Sequence, residues 1–191
     1  MHEPVFQVTV SLPEWVHAVV DWTASYPDDR SRMRLAIQLA RHNVAQGTGG
    51  PFGAAIFEAD SGRLVSVGMN SVVRHNNCTL HAEMVAFMMA GRRVGSFTLN
   101  ATGLPRHELF TSCEPCAMCL GGTLWSGVRR IVCGAVREDV TRLRFEEGPV
   151  FPESYAYLEA RGVTIARGLL REEACEVLEA YQRQGGEIYN G

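Results

Sequence analysis

The stretch of sequence that decides the fold is residues 108–135, which read ELFTSCEPCAMCLGGTLWSGVRRIVCGA. Within it, residues 108–111 predict a strand, residues 115–125 predict a helix, and residues 131–135, which begin with Ile131 and Val132, predict a second strand. Because strands that alternate with helices build layered domains, this stretch predicts an α/β fold.

The sequence on either side of this stretch fits the same class. Two apolar segments, residues 54–57 and 64–67, flank Asp60, Ser61 and Gly62, which predicts a hairpin and therefore a mixed sheet. Residues 143–154 carry Gly148, Pro149 and Pro152 and predict a loop that covers another part of the molecule. Further strands are predicted over residues 5–10 and 163–166, and helices over 13–22, from Asp28 or Asp29 to Ala45, 80–91 and 172–183.

Size and composition limit the possible classes of protein. The 191 residues are 46% hydrophobic and 20% charged, which predicts one soluble domain over residues 1–191. Eighteen basic and twenty-one acidic residues give a net charge of -3, which disfavours a broad nucleic-acid-binding face. Six cysteines are too few for a disulfide scaffold, and neither a signal peptide nor a membrane span is expected. We therefore expect a cytoplasmic protein without a membrane or nucleic-acid partner.

Two short motifs carry metal-ligand chemistry. The first is His81 followed two residues later by Glu83, and the second places Cys116 and Cys119 directly after Pro115. Residues three apart share a helix face, so the two thiols should point the same way, with Pro115 in the first helical turn. Zinc accepts imidazole nitrogen and thiolate sulfur, and three protein ligands leave a fourth position open. The pattern therefore predicts a catalytic zinc site.

The role of Glu83 follows from the chemistry of such a site. Zinc lowers the pKa of bound water to about 7, and an unliganded carboxylate can carry the proton to a leaving ammonia. His81 and Glu83 can converge only at the start of a helix, and Thr79 as the N-cap residue would place that start correctly. His-x-Glu with a later Pro-Cys-x-x-Cys is the signature of zinc deaminases. Two alternatives remain: a redox Cys pair, and a closed structural site to which Cys113 adds a fourth ligand.

At these motifs the sequence resembles the cytidine-deaminase-like superfamily and, within it, the small zinc-dependent guanine deaminases of bacteria. The resemblance begins at about Met33 and covers most of the chain beyond it. It implies a three-layer α/β/α fold with a five-stranded mixed sheet, and a homodimer. The segments that carry it are residues 50–56, 81–84, 111–119, 124–129, 145–149 and 187–190.

The resemblance also implies a role for individual residues. His81, Cys116 and Cys119 would hold Zn²⁺, and Glu83 would be the catalytic proton carrier. A second catalytic carboxylate maps to Glu147, with the adjacent Glu146 as the alternative. Residues implied to contact the substrate are Asn70, Phe52, Ala82 and Phe145.

The expected reaction is hydrolytic deamination of a free nucleobase, guanine giving xanthine and ammonia. The same motifs fit an s-triazine (ammeline), cytosine-type or guanosine deaminase, a tRNA adenosine deaminase, and a zinc domain without turnover. Residues 1–25 form an N-terminal extension outside the resemblance, while residues 143–154 and the C-terminal segment are expected to form a lid over the site.

Overall fold

The computed structural model describes residues 4–190, and a five-stranded sheet lies at its centre. Its strands lie in the order β2-β1-β3-β4-β5. Strand β1 is antiparallel to both of its neighbours, β2 and β3, whereas β3, β4 and β5 are parallel to one another. The predicted mixed sheet is confirmed. The strand bounds are β1 Gly53–Glu58, β2 Leu64–Met69, β3 His107–Cys113, β4 Arg130–Ala135 and β5 Thr164–Ala166.

Eight helices lie within the described residues and cover both faces of the sheet. Helices α2 and α8 pack on one face, and α4, α5 and α7 pack on the other, which gives the expected three layers. None of these helices combines the length and apolar character needed to span a bilayer. The helix bounds are α1 Val16–Val19, α2 Asp29–Ala45, α3 Val72–His75, α4 Ala82–Val94, α5 Ala117–Ser126, α6 Arg137–Thr141, α7 Pro152–Glu159 and α8 Arg171–Arg183.

Strand β1 shows how the sequence fills both layers. Successive side chains of a strand point to opposite faces, so Ala55 and Phe57 pack in the layer of α2 and α8. The alternate residues Ala54 and Ile56 pack in the layer of α4. Because both faces are covered, all six residues of β1 are buried. The site described below lies at the end of this central part of the sheet.

Helix α2 begins where the sequence predicts. The Asp28 carboxylate accepts a 2.7 Å hydrogen bond from the backbone N–H of Ser31, which satisfies one of the free donors of the first helical turn. The helix ends at Ala45, also as predicted. The predicted hairpin of β1 and β2 is likewise confirmed.

Three expectations about the chain ends and the loop are wrong. Residues 5–10 form no strand, because no strand within residues 4–190 pairs with them and most of their side chains stay exposed. The helix predicted over residues 13–22 is reduced to α1, in which Val16 is the buried residue. The segment 143–154 is a loop only as far as Phe151, because Pro152 opens α7 instead of interrupting a helix.

Candidate active site

Three potential metal ligands meet where α4 and α5 begin. His81, Cys116 and Cys119 place their ligand atoms within 4.8 Å of one another, and the Sγ of Cys116 lies 3.4 Å from the Nδ1 of His81. His81 is the N-cap of α4, and Cys116 is the N-cap of α5. The expected caps are therefore wrong: Thr79 lies before the helix start, and Pro115 precedes the cap instead of entering the first turn. Since N-cap residues have non-helical backbone angles, His81 and Cys116 turn towards each other across two helix ends.

This donor set fits zinc. Tetrahedral zinc separates a sulfur and a nitrogen ligand by about 3.5 Å, which is close to the Cys116–His81 distance. Hydrogen bonds from Cys119 and His81 lower the pKa of the Cys116 thiol to about 4. The pKa of Cys119 is raised well above its usual value, first because Cys116 takes its hydrogen bond and then because it is buried. Without a cation, only one of the two cysteines, Cys116, is therefore favoured as a thiolate. A divalent metal would favour the thiolate form of both Cys116 and Cys119.

Cys113 does not join this group. It is the last residue of β3 and is buried, while the three-residue ligand cluster is formed by the two helix starts. Burial raises the pKa of its thiol well above the usual range, which favours the neutral form over the thiolate that binds metal. Three protein ligands are the number found in catalytic zinc sites, whereas closed structural sites use four.

Glu83, the second residue of α4, lies buried beside this cluster. Its Oε1 accepts a 3.0 Å hydrogen bond from the hydroxyl of Thr111 on β3. Burial raises the pKa of its carboxyl, and the negative charge of Cys116 adds to the effect. A carboxyl with a raised pKa binds a proton more strongly than an ordinary carboxyl, which suits a group that takes up a proton and passes it on.

A small cavity of about 40 Å³ adjoins these groups. The structure brings to it all of the residues expected in the site except Cys119, which lies in the ligand cluster. Phe52 and Phe145 form an apolar side of the cavity, with their ring centroids 5.2 Å apart in an edge-to-face arrangement. The expected residues that line it are Phe52, Asn70, His81, Ala82, Glu83, Cys116, Phe145 and Glu147.

Asn70 brings an unused hydrogen-bond donor to the cavity. It directly follows β2 and is fully buried, and its Oδ1 accepts a 3.3 Å hydrogen bond from the backbone N–H of Val72. Its Nδ2 has no hydrogen-bond partner within residues 4–190. A buried donor left unpaired costs about 1–3 kcal/mol, so a ligand that accepts from it would recover that energy.

The two adjacent carboxylates of the 145–151 loop differ in their surroundings. Glu147 is half-buried and its backbone carbonyl accepts a 2.9 Å hydrogen bond from Ala117 at the start of α5. Burial and the nearby charges of Cys116 and Glu83 raise the pKa of its carboxyl to about 8. Glu146 is exposed, and its backbone N–H donates to the side chain of Asn190. Both line the cavity, but Glu147 is the more enclosed of the two.

Three further residues of the cavity wall received no role from the sequence. The ring of Tyr189 packs against the ring of Phe145, with the two ring centroids 5.2 Å apart. The side-chain amide of Asn190 donates a 2.8 Å hydrogen bond to the backbone carbonyl of Arg144. Glu114 is buried, pairs with Arg167, and accepts a 2.7 Å hydrogen bond from the backbone N–H of Arg137. Glu114 lies inside the cysteine motif and Tyr189 and Asn190 lie in a segment that carries the resemblance, but no spacing or periodicity signals their contacts.

Comparison with known proteins places this site among the deaminases. The family model for the cytidine and deoxycytidylate deaminase zinc-binding region matches residues 27–135. The guanine deaminase of Bacillus subtilis (strain 168) is 32% identical over 140 residues, which are 73% of this chain and 85% of the relative.

Solved structures extend the similarity to nearly the whole chain. The guanine deaminase from Nitrosomonas europaea is 39% identical with a TM-score of 0.89, over 95% of this chain and 100% of that one. The protein NE0047 in complex with 2,6-diaminopurine is 42% identical with a TM-score of 0.89, over 95% of this chain and 96% of that one.

Proposed function

Because the chain belongs to the family of cytidine and deoxycytidylate deaminases that share this zinc-binding region, we propose that it hydrolyses free guanine to xanthine and ammonia. The observation that carries the proposal is the buried, unpartnered amide of Asn70 in the same cavity as Glu83 and the ligand cluster. The guanine deaminases among the similar proteins support guanine over other bases, and the 2,6-diaminopurine bound to NE0047 supports a purine.

The reaction requires water, a proton carrier and a leaving amino group. His81, Cys116 and Cys119 would hold zinc, which when bound makes a water acidic enough to act as nucleophile near neutral pH. Glu83 would take a proton from the attacking water and would deliver it to the amino group that leaves as ammonia. Water adds at the carbon that bears the 2-amino group, so guanine and water give xanthine and ammonia.

The remaining residues orient the base. Asn70 would donate its free amide N–H to an acceptor of the purine. An ionised Glu147 offers acceptors alone, which suits the ring N–H and 2-amino donors of guanine. The flat faces of a purine fit between apolar walls, which Phe52, Ala82 and Phe145 provide.

A lid over the site would consist of residues 143–154 and the C-terminal segment. Asn190 bonds to both Arg144 and Glu146, and Tyr189 packs on Phe145, so the two segments are joined to each other. The cavity of about 40 Å³ is far smaller than the roughly 300 Å³ at which ligand pockets usually begin. A base would therefore enter when these segments move.

The first experiment is ammonia release from guanine by the zinc-loaded protein, with Glu83→Ala as the control. We expect release that disappears in the control. If the zinc-loaded protein releases ammonia from cytosine, guanosine or ammeline but not from guanine, the assignment as a deaminase stands and the assignment of guanine as the substrate is wrong. Filter binding of tRNA tests the tRNA adenosine deaminase alternative, which the net charge of -3 and the enclosed cavity disfavour.

The cellular setting and the assembly complete the proposal. The six cysteines, all within the described residues, are free thiols, which suits a reducing cytoplasm. The proposed conversion of guanine to xanthine would be a step of purine catabolism. A single domain would form a homodimer, and large exposed apolar side chains such as Phe97 (98% exposed) and Trp125 (78% exposed) support a partner surface. Light scattering after size-exclusion chromatography would give twice the 21.0 kDa chain mass if this is correct.

A further inference from the structure

We propose that Asn43 is a positioning residue for the base-binding Asn70, and that the N-terminal segment controls it through Trp15 and Thr48. The inference rests on the role proposed above for Asn70. It concerns residues that the metal and proton-transfer chemistry does not use, and it gives the N-terminal extension a function.

Asn43 joins two segments that border the cavity. It lies on α2 and is fully buried. Its Nδ2 donates to the backbone carbonyl of Gly50 at 2.8 Å and to the backbone carbonyl of Asn70 at 2.8 Å. Gly50 lies two residues before the cavity residue Phe52. The side-chain amide of Asn43 therefore holds the backbone just before Phe52 and the backbone of Asn70.

Asn70 is held from both sides of its backbone. Its N–H donates to the carbonyl of Phe52 at 3.0 Å, and its carbonyl accepts from Asn43. The close approach requires glycine next to it, because a Cβ on Gly49 would lie 2.0 Å from the carbonyl oxygen of Asn70. These contacts fix the Cα of Asn70 and thereby the direction of its free amide.

A chain of hydrogen bonds fixes the orientation of the Asn43 amide. The indole N–H of Trp15 donates to the Thr48 hydroxyl at 3.0 Å, and that hydroxyl donates to the Oδ1 of Asn43 at 2.7 Å. An indole N–H can only donate, so the Thr48 hydroxyl accepts this hydrogen bond and donates its own O–H to Asn43. The Nδ2 of Asn43 is then left to face the two carbonyls.

Trp15 is anchored outside the sheet. It caps the short helix α1, and its ring stacks on His42 of α2 with centroids 5.6 Å apart. Residues before about residue 25 carry none of the deaminase motifs. Through Trp15 they nevertheless reach the cavity in three hydrogen bonds, and misplacement of a substrate-binding group by about 1 Å can cost a hundredfold in rate.

The test removes one hydrogen-bonding group at a time and keeps the rest of the side chain as similar as possible. Thr48→Val removes the hydroxyl, Trp15→Phe removes the indole N–H but keeps an aromatic ring on His42, and Thr48→Ser is the matched control. We expect the two disrupting variants to raise KM for guanine about three- to tenfold, with kcat and zinc content little changed, and the Ser variant to resemble the wild type.

Two results distinguish positioning from a general structural role. In an Asn70→Ala background, Thr48→Val should raise KM much less than it does in the wild type, because most of its action passes through Asn70. An equal effect in both backgrounds, or a lower melting temperature with unchanged KM, would overturn the proposal.

A readout without turnover separates this inference from the proposed function. In ¹⁵N–¹H NMR spectra, Thr48→Val should shift the side-chain amide signals of Asn43 and Asn70, while Thr48→Ser should not. An unmoved Asn70 signal would overturn the inference. A shifted Asn70 signal in a protein that does not deaminate guanine would overturn the choice of substrate alone.

Discussion

The hydroxyl of Thr111 donates a 3.0 Å hydrogen bond to the Oε1 of Glu83, and both side chains are buried. The bond joins the middle strand of the sheet to the first turn of α4. The bond thereby holds one carboxylate oxygen of Glu83 in place. The sheet, through this contact, orients the group that the proposed reaction depends on most.

Thr111→Val should lower kcat about ten- to hundredfold, because a hydrogen bond to a charged group contributes about 1.5–3 kcal/mol. KM should change less than kcat, since Thr111 does not line the cavity. Steady-state kinetics with guanine, together with zinc analysis, check this. The Thr111→Ser variant keeps the hydroxyl and should recover most of the activity; a Val variant as active as the Ser variant would contradict the positioning role.

Glu83→Gln should lower kcat by about 10²–10⁴, the usual contribution of a general acid–base group. The amide keeps the size of the side chain but cannot carry the proton. Zinc content should stay at the wild-type level, because Glu83 lies outside the ligand cluster. Activity and metal analysis of the same preparation are the measurements, and loss of zinc in this variant would instead make Glu83 a ligand.

Glu147→Gln should lower guanine turnover strongly and should also change how stability depends on pH. In the metal-free protein the folded pKa of this carboxyl is raised from 4.5 to about 8, so folding favours its protonated form. That stabilisation is present below about pH 4.5 and is lost as pH rises through about 8, by a few kcal/mol. Urea unfolding of both metal-free proteins checks it: the wild type should lose more stability than the variant between pH 5 and pH 9.

Removal of the metal should abolish turnover and expose a reactive thiolate. The pKa of Cys116 is lowered to about 4, so this thiol is ionised at pH 6 in the metal-free protein, whereas a thiol of ordinary pKa is not. After chelation, iodoacetamide at pH 6 should label Cys116 before the other cysteines, as mass spectrometry of peptides can show. Added zinc should restore activity and prevent labelling; equal labelling with and without zinc would argue against the ligand role.

Local patterns predicted the parts of the fold that depend on local physics. The Asp28 cap, the α2 helix and the hairpin around Asp60, Ser61 and Gly62 follow from capping and turn preferences, and the structure confirms them. Residues 5–10 have the sequence pattern of a strand, but a strand also needs a neighbouring strand with which to pair. The local sequence cannot tell whether residues 4–190 provide that neighbour, and they do not. The same holds for residues 13–22, of which four form a helix.

The site divides along the same line. The spacing of Cys116 and Cys119 and the His-x-Glu motif are local signals, and the structure brings His81 and both cysteines together. The predicted helix starts differ from the observed ones because His81 and Cys116 are not among the residues that N-cap preferences favour. Contacts across long sequence separations, such as that of Asn43 with Asn70, have no local signature at all.

The residues that line the cavity come from distant parts of the chain. Asn190 lines it directly, and Trp15 is the first residue of the hydrogen-bond chain that leads to Asn70. Closing such long loops is entropically costly and slow, whereas α2 and the hairpin need contacts between near neighbours. During refolding, circular dichroism should therefore reach its native value before catalytic competence returns. Secondary structure would form first, and activity would return once the N-terminal and C-terminal segments have packed against the central part of the fold.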